Sequence, residues 1–405
     1  MSSRPALVVT GWGAVSACGW GASPLGRALG AGETAIAPFT RFDHAGYETH
    51  VAGQAPDPPA GLEPLRRRRW SWAERFALAA AHEALQEARL PAGLGAARAG
   101  VFFGSSTGGM FEAEELYRAW RGRCLDRAPL RPLAAHRVSV PADAVARSLG
   151  VTGPVETVSS ACASGALAIG LAARALADER VDVALAGGAD SLCRITFGGF
   201  NALRSVAAEP CRPFRVDRSG LSLGEGAAVL VLEREETARA RGAPVLGRLL
   251  GTGASGDAHH MTAPHPEGRG ATLAVERALA QAGLEPSRVD FINAHGTGTE
   301  LNDLAEYRAL RSVFGERVGT IPLTSTKGSI GHLLGSAGAI EAVATLLAVR
   351  DQRLQPTAGD GEVDPDAPVR LVRAAAPAAI RVALSMSLGF GGCNAAVLLG
   401  RAEGG

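Results

Sequence analysis

Residues 222–232 read SLGEGAAVLVL, and residues 387–399 read SLGFGGCNAAVLL. Both open on Ser-Leu-Gly, pass through a glycine turn and run into an apolar strand of Ala, Val and Leu, the second copy carrying two extra residues. A second pair keeps the same order: the small-residue stretch opening at Cys162 (CASGAL) has a counterpart in GSAGAI, residues 335–340. An offset of a little over 160 residues between matching segments describes one half-fold that occurs twice, with the join near residue 240. The expected organisation is an N-terminal half over 1–240 and a C-terminal half over 241–405.

Outward from these segments, apolar strand-like runs (ALVVTG, AGVFFGSS, PVETVSS, VDVALAGGA, AAVLVLE) alternate with Ala-rich helical stretches, among them 72–89 and 163–178. That alternation argues for an α/β architecture. The helices predicted at 163–178 and 335–349 are apolar nearly all round, so both should be buried. Their Gly and Ala content lets them approach closely, and their N-termini direct positive backbone ends into the interior.

The formal net charge of +1 supplies no field for a phosphate backbone or an anionic membrane, which argues against a nucleic-acid partner. No apolar run reaches the ~18 residues of a membrane span. The six cysteines are scattered without a CxxC pair, so neither a disulfide framework nor a metal site is indicated, and a reduced, cytoplasmic protein is expected. One count stands apart. Of 41 basic residues, Lys327 is the single lysine, which points to a position that needs an ammonium and not a guanidinium.

Cys162 follows VETVSS and opens a buried helix, where unpaired N–H groups would lower a thiol pKa and favour attack. Taken alone, a free cysteine is most often a core residue. His295, in NAHGTGT, and His332, in STKGSIGH, each stand at a Gly-rich turn, and with Cys162 they form a nucleophile with two donors. Glu341 lies inside the second buried helix and needs a partner, for which Lys327 is the candidate. In LGFGGCN, residues 388–394, a backbone N–H could face Cys162 as an oxyanion hole.

These motifs, with VVTGWGAVSACG near the start, FFGSSTGG at 102–109, CRPFRVDRSGLSLGEGAAVLVLE at 211–233 and GDAHHMTAP at 256–264, span essentially the whole chain. The sequence resembles a β-ketoacyl-acyl-carrier-protein synthase of the thiolase superfamily, of the synthase II type. The resemblance implies a thiolase-like five-layer αβαβα fold built from two duplicated halves. It also implies a decarboxylative Claisen condensation with Cys162 as nucleophile and His295 and His332 as donors to the malonyl thioester carbonyl. Lys327 and Glu341 would order the histidines. The N–H groups of Cys162 and Phe390 would hold the oxyanion, and Phe390, with Gly391 beside it, would gate the acyl pocket. Thr297 and Thr299 would contact the pantetheine arm, and Thr107 would stand at the far end of the acyl pocket. Arg66, Arg67, Arg68, Arg69 and Arg204 would dock an acidic acyl carrier protein.

No cofactor is implied beyond phosphopantetheine on that carrier. The partner is the carrier protein and, in a dimer, either a second copy or a chain-length-factor-like subunit. Asp303 and Glu306 read as acceptors that hold the fold, and the cluster His259, His260 and His265 reads as an entrance loop and not a metal site. The chain departs from the family at Arg215 and Ser219-Gly220-Leu221, where RPFD and RDGF are usual, and at Cys393, where Thr is usual. These departures leave acyl length open, and with it the choice between fatty-acid elongation and a type II polyketide or polyene pathway. A non-catalytic chain-length partner would lack the nucleophile; a thiolase would carry a different histidine pattern.

Overall fold

The computed structural model describes residues 5–62, 70–95, 97–122 and 131–402. Ten strands make the frame, five from each half. In the first half they are β1 (Leu7–Ser16), β2 (Ala99–Gly104), β3 (Val155–Val158), β4 (Val183–Asp190) and β5 (Gly226–Arg234). In the second they are β6 (Gly247–Gly256), β7 (Phe291–Asn293), β8 (Pro322–Thr324), β9 (Val382–Gly389) and β10 (Cys393–Gly400). The first half pairs in the order β3-β2-β4-β5-β1 and the second in the order β8-β7-β9-β10-β6.

The sense of pairing repeats too. β2 is parallel to β3 and β4, and β5 is antiparallel to β4 and β1. Likewise β7 is parallel to β8 and β9, and β10 is antiparallel to β9 and β6. The two segments quoted first contain β5 and β10, so the sequence repeat and the topological repeat coincide. The halves join edge to edge where β1 meets β6, with Leu7 opposite Leu249 and Val9 opposite Gly247.

Helices fill the layers between and outside the sheets. α1 (Trp72–Glu87) and α2 (Val140–Leu149) cover the outer face of the first half; α4 (Arg269–Ala282) and α5 (Glu300–Phe314) cover that of the second. Between the sheets lie α3 (Ser164–Ala177) and α6 (Ala337–Asp351), packed with Val9, Leu230 and Leu232 on one side and Val397 and Leu399 on the other. The result is helix, sheet, helix, sheet, helix. α1 starts at a capping box in which Ser71 and Glu74 satisfy each other's backbone N–H.

Every residue of α6 from Ala337 to Val349 is buried, as expected for a helix apolar all round. α3 differs from expectation on one side: Leu171 is 39% exposed, and Arg174 extends outward to Asp178. The two helices cross at glycines. A Cβ on Gly338 would lie 2.7 Å from the Ala166 nitrogen and 2.7 Å from Ser387 Oγ, and one on Gly165 would lie 2.8 Å from the Ala339 nitrogen. Gly338→Ala is therefore expected to lower stability by about 1–3 kcal/mol, read as a lower urea midpoint at unchanged slope. An unshifted midpoint would mean that the crossing is looser than these contacts require. No described helix is long and apolar enough to cross a membrane.

Candidate functional site

Cys162 sits in the turn between β3 and α3. The residue before it, Ala161, has a φ of 47°, a left-handed conformation that is costly for a residue with a side chain. Ser164 Oγ holds this turn by accepting from the Ser160 N–H at 2.8 Å and donating to the Ala161 carbonyl at 2.6 Å. Ser106 Oγ donates to the same carbonyl at 3.3 Å. The strained turn presents the sulfur to the N–H groups of Phe390 and of Cys162 itself.

Burial pushes the Cys162 thiol up to about 11, outweighing Lys327 and the two N–H groups, which pull it down. The helix start therefore does not deliver the lowered pKa expected from the sequence, because desolvation of the thiolate is the larger effect at a buried sulfur. The thiolate fraction should rise about tenfold per pH unit through the neutral and mildly alkaline range. Alkylation of Cys162 by iodoacetamide should follow it from pH 7 to 10, and a rate that levels off below pH 8 would contradict this.

His295 leaves the end of β7 on a turn pinned from α5. Glu306 accepts the His295 N–H at 2.6 Å and the Gly296 N–H at 2.8 Å. Asp303, one turn earlier, accepts the Phe214 N–H at 2.7 Å and the Gly298 N–H at 3.2 Å. Gly296 and Gly298 both have positive φ, which permits the turn. Both carboxylates are fully buried and serve as acceptors for the loop, the use anticipated for them.

Lys327 Nζ donates to His295 Nδ1 at 3.1 Å, to the His295 carbonyl at 2.6 Å and to the Glu341 carboxylate. All three ammonium protons are thus used. Burial raises the Glu341 carboxyl to about 7, against the pull of Lys327. With Nδ1 accepting, His295 presents Nε2–H to the site.

His332 is fixed by its backbone: its N–H donates to the Ser222 carbonyl at 2.7 Å, and its carbonyl accepts from Gly224 at 2.9 Å. Its ring stands at 86° to that of His295, with centroids 5.3 Å apart. Cys162, His295 and His332 offer one sulfur and two ring nitrogens within 4.8 Å of one another. Burial, then the Lys327 charge, holds both imidazoles well below their usual pKa, so both are neutral.

A cavity of about 370 Å³ opens onto this trio and is lined also by Thr297, Thr299, Arg204, Phe200 and Phe390. Phe390 packs on Phe200 at 5.4 Å between ring centroids. Two expected residues lie elsewhere. Gly391 sits behind Phe390 and donates to the Met261 carbonyl at 2.8 Å. Thr107 is drawn off the cavity by Asp190, which accepts from its N–H at 2.7 Å and its hydroxyl at 2.9 Å. Arg66 to Arg69 lie outside the described residues.

Among the described residues, the histidines at 259, 260 and 265 form no close group of metal-ligating atoms; His259 and His265 simply pack, ring on ring, 5.2 Å apart. Arg215 is buried and donates to the carbonyls of Gly359 and Gly361, clamping a neighbouring loop. Sequence reading passed over Asn293, whose amide ties Thr326, Thr345 and the Glu341 carbonyl together beneath Lys327. A polar residue closing the apolar strand Phe291–Asn293 was its signal.

The chain matches two family models, "Beta-ketoacyl synthase, N-terminal domain" over residues 5–238 and "Beta-ketoacyl synthase, C-terminal domain" over residues 246–359. It is 34% identical to a 3-oxoacyl-[acyl-carrier-protein] synthase 2 of Staphylococcus aureus (strain COL) over the full length of both chains. Among solved structures it resembles the ishigamide ketosynthase/chain length factor (TM-score 0.93, 33% identity, 99% of this chain and 100% of that one). It also resembles AntDE:AntF, a type II polyketide acyl-carrier protein in complex with its ketosynthase bound to the hexaketide (TM-score 0.88, 29% identity, 99% and 100%).

Proposed function

Because the chain belongs to the beta-ketoacyl synthase family, we propose that it condenses an acyl thioester with malonyl-acyl-carrier protein, with loss of CO2. The observation that carries this reading is the convergence of Cys162, His295 and His332 on one cavity, with Lys327 fixing the proton of His295 on Nε2. Cys162 Sγ attacks the acyl carbonyl of the first carrier's pantetheine thioester. The thiol proton passes through His332 to the departing pantetheine sulfur, and the Cys162 and Phe390 N–H groups hold the tetrahedral oxyanion. Malonyl thioester then enters, and His295 Nε2–H and a His332 N–H donate to its carbonyl as the C–C bond to the carboxylate breaks. The resulting enolate carbon attacks the acyl-Cys162 carbonyl. The Cys162 thiolate leaves and takes up one proton from solvent, replacing the one given to the first pantetheine sulfur, and the product is a β-ketoacyl thioester.

Thr297 and Thr299, 2.8 Å apart at their hydroxyls on the cavity wall, suit the amide-bearing pantetheine arm. Phe390, packed on Phe200, suits a gate over the acyl path. Arg204, which lines the cavity, suits the acidic carrier, and the same role is assigned from the sequence to the basic run Arg66 to Arg69. We assign residues 1–240 and 241–405 to the two halves, phosphopantetheine on the carrier as the substrate's tether, and the cytoplasm as the site of action. We read the reaction as a step of fatty-acid synthesis or of a type II polyketide or polyene pathway, which the likeness to a 3-oxoacyl-[acyl-carrier-protein] synthase 2 and to a type II polyketide ketosynthase supports. The partner in the dimer is a second copy or a chain-length-factor-like subunit.

Incubation with a panel of acyl-carrier proteins, followed by mass spectrometry of the Cys162 peptide, tests the reading. The expected result is an acyl mass on Cys162 that malonyl-carrier protein discharges as β-ketoacyl product. A chain that takes no acyl group at Cys162 from any carrier would end it.

A further inference from the structure

Cys162, His295 and His332 are all buried, and their sulfur and two ring nitrogens lie within 4.8 Å of one another. One thiol and two imidazoles, open to a cavity on the fourth side, form the donor set of a catalytic-type zinc site. His332 is available for this: neither of its ring nitrogens has a hydrogen-bond partner among the described residues. His295 is not. A ligating histidine gives a lone pair to the metal and keeps its proton on the other nitrogen, where a carbonyl or carboxylate accepts it. At His295 that other nitrogen faces Lys327 Nζ, 3.1 Å away, and an ammonium has three protons and no lone pair. The other two protons are engaged by the His295 carbonyl and Glu341, so the ammonium cannot turn aside. Nδ1 must accept, and the nitrogen facing the cavity must carry hydrogen.

We infer that Lys327 keeps the Cys162, His295 and His332 centre from taking up a zinc-like ion, by locking the His295 proton onto the nitrogen that a metal would need. Binding against this lock has a defined proton balance. Nε2–H leaves to solvent, one Lys327 proton crosses to Nδ1, and the thiol proton leaves as the metal takes the thiolate. Without the lysine, Nδ1 carries the imidazole proton unopposed, and only the thiol proton need depart.

Cobalt(II), whose thiolate bond absorbs characteristically, is the probe, with no substrate present. Wild-type protein is expected to show no stoichiometric uptake in dialysis and no thiolate-to-cobalt band. The double variant Lys327→Met/Glu341→Gln removes the ammonium and, with it, the buried carboxyl group that it bonds. It is expected to bind one ion per chain about 10- to 100-fold more tightly than wild type. Zn2+ should displace that ion, and adding Cys162→Ala should abolish binding. Wild-type uptake as tight as the variant's would overturn the inference, as would a folded double variant that takes up none. Glu341→Gln alone retains the lysine and so should stay metal-free; cobalt on that variant would overturn the inference even if the double variant failed to fold.

Discussion

Cys162→Ala is expected to lose condensation by about four orders of magnitude or more, because Cys162 is the one thiol among the described residues that line the cavity and the acyl group rides on it between the two half-reactions. The same variant should continue to release CO2 from malonyl-carrier protein. In the proposed mechanism decarboxylation draws on donors at His295 and His332, whose positions are set by Glu306, Lys327 and the Ser222 backbone, none of which depends on the sulfur. Product formation and bicarbonate release, measured on one preparation, separate the two steps. Parallel loss of both would show that the cysteine also builds the malonyl site, and undiminished condensation would remove Cys162 from the mechanism.

Lys327→Arg should slow decarboxylation about 10- to 100-fold, the range seen when an orienting partner behind a working histidine is lost. The ammonium of Lys327 sends one proton each to Nδ1 of His295, the His295 carbonyl and Glu341, from a point that is 1% exposed. A guanidinium is planar and larger, and its fork cannot meet three acceptors arranged around a single nitrogen. Acyl transfer to Cys162 should fall much less, since the donors proposed for its oxyanion are the backbone N–H groups of Cys162 and Phe390, which reach the sulfur without Lys327. Equal loss in acyl loading and in decarboxylation would mark a general disturbance of the core and not a displaced histidine; near-normal rates would make the lysine a coincidence of composition.

Much of this was legible in the chain. The two Ser-Leu-Gly segments announced the duplication because β5 and β10 carry the same burden in both halves, an inner strand buried on both faces after a tight turn. The lone lysine draws attention by composition, and its spacing from His332 and Glu341 within the family resemblance attaches it to the site. Other features had no local signal. Thr107 is set at the far end of the acyl pocket by the family resemblance, and the carboxylate that captures it comes from the end of β4, 83 residues away. The thiol of Cys162 was misjudged because the favourable helix start can be read from neighbouring residues, whereas the enclosing α6, β9 and Phe390 come from the other half of the chain.

Lys327 is the only lysine in the sequence and is buried, so the folded surface bears no side-chain primary amine. Reagents that acylate lysine find no side chain to modify while the molecule stays closed. Labelling at this one position would therefore act as a clock for exposure of the centre, its rate reporting how often α6 and its neighbours part to admit solvent.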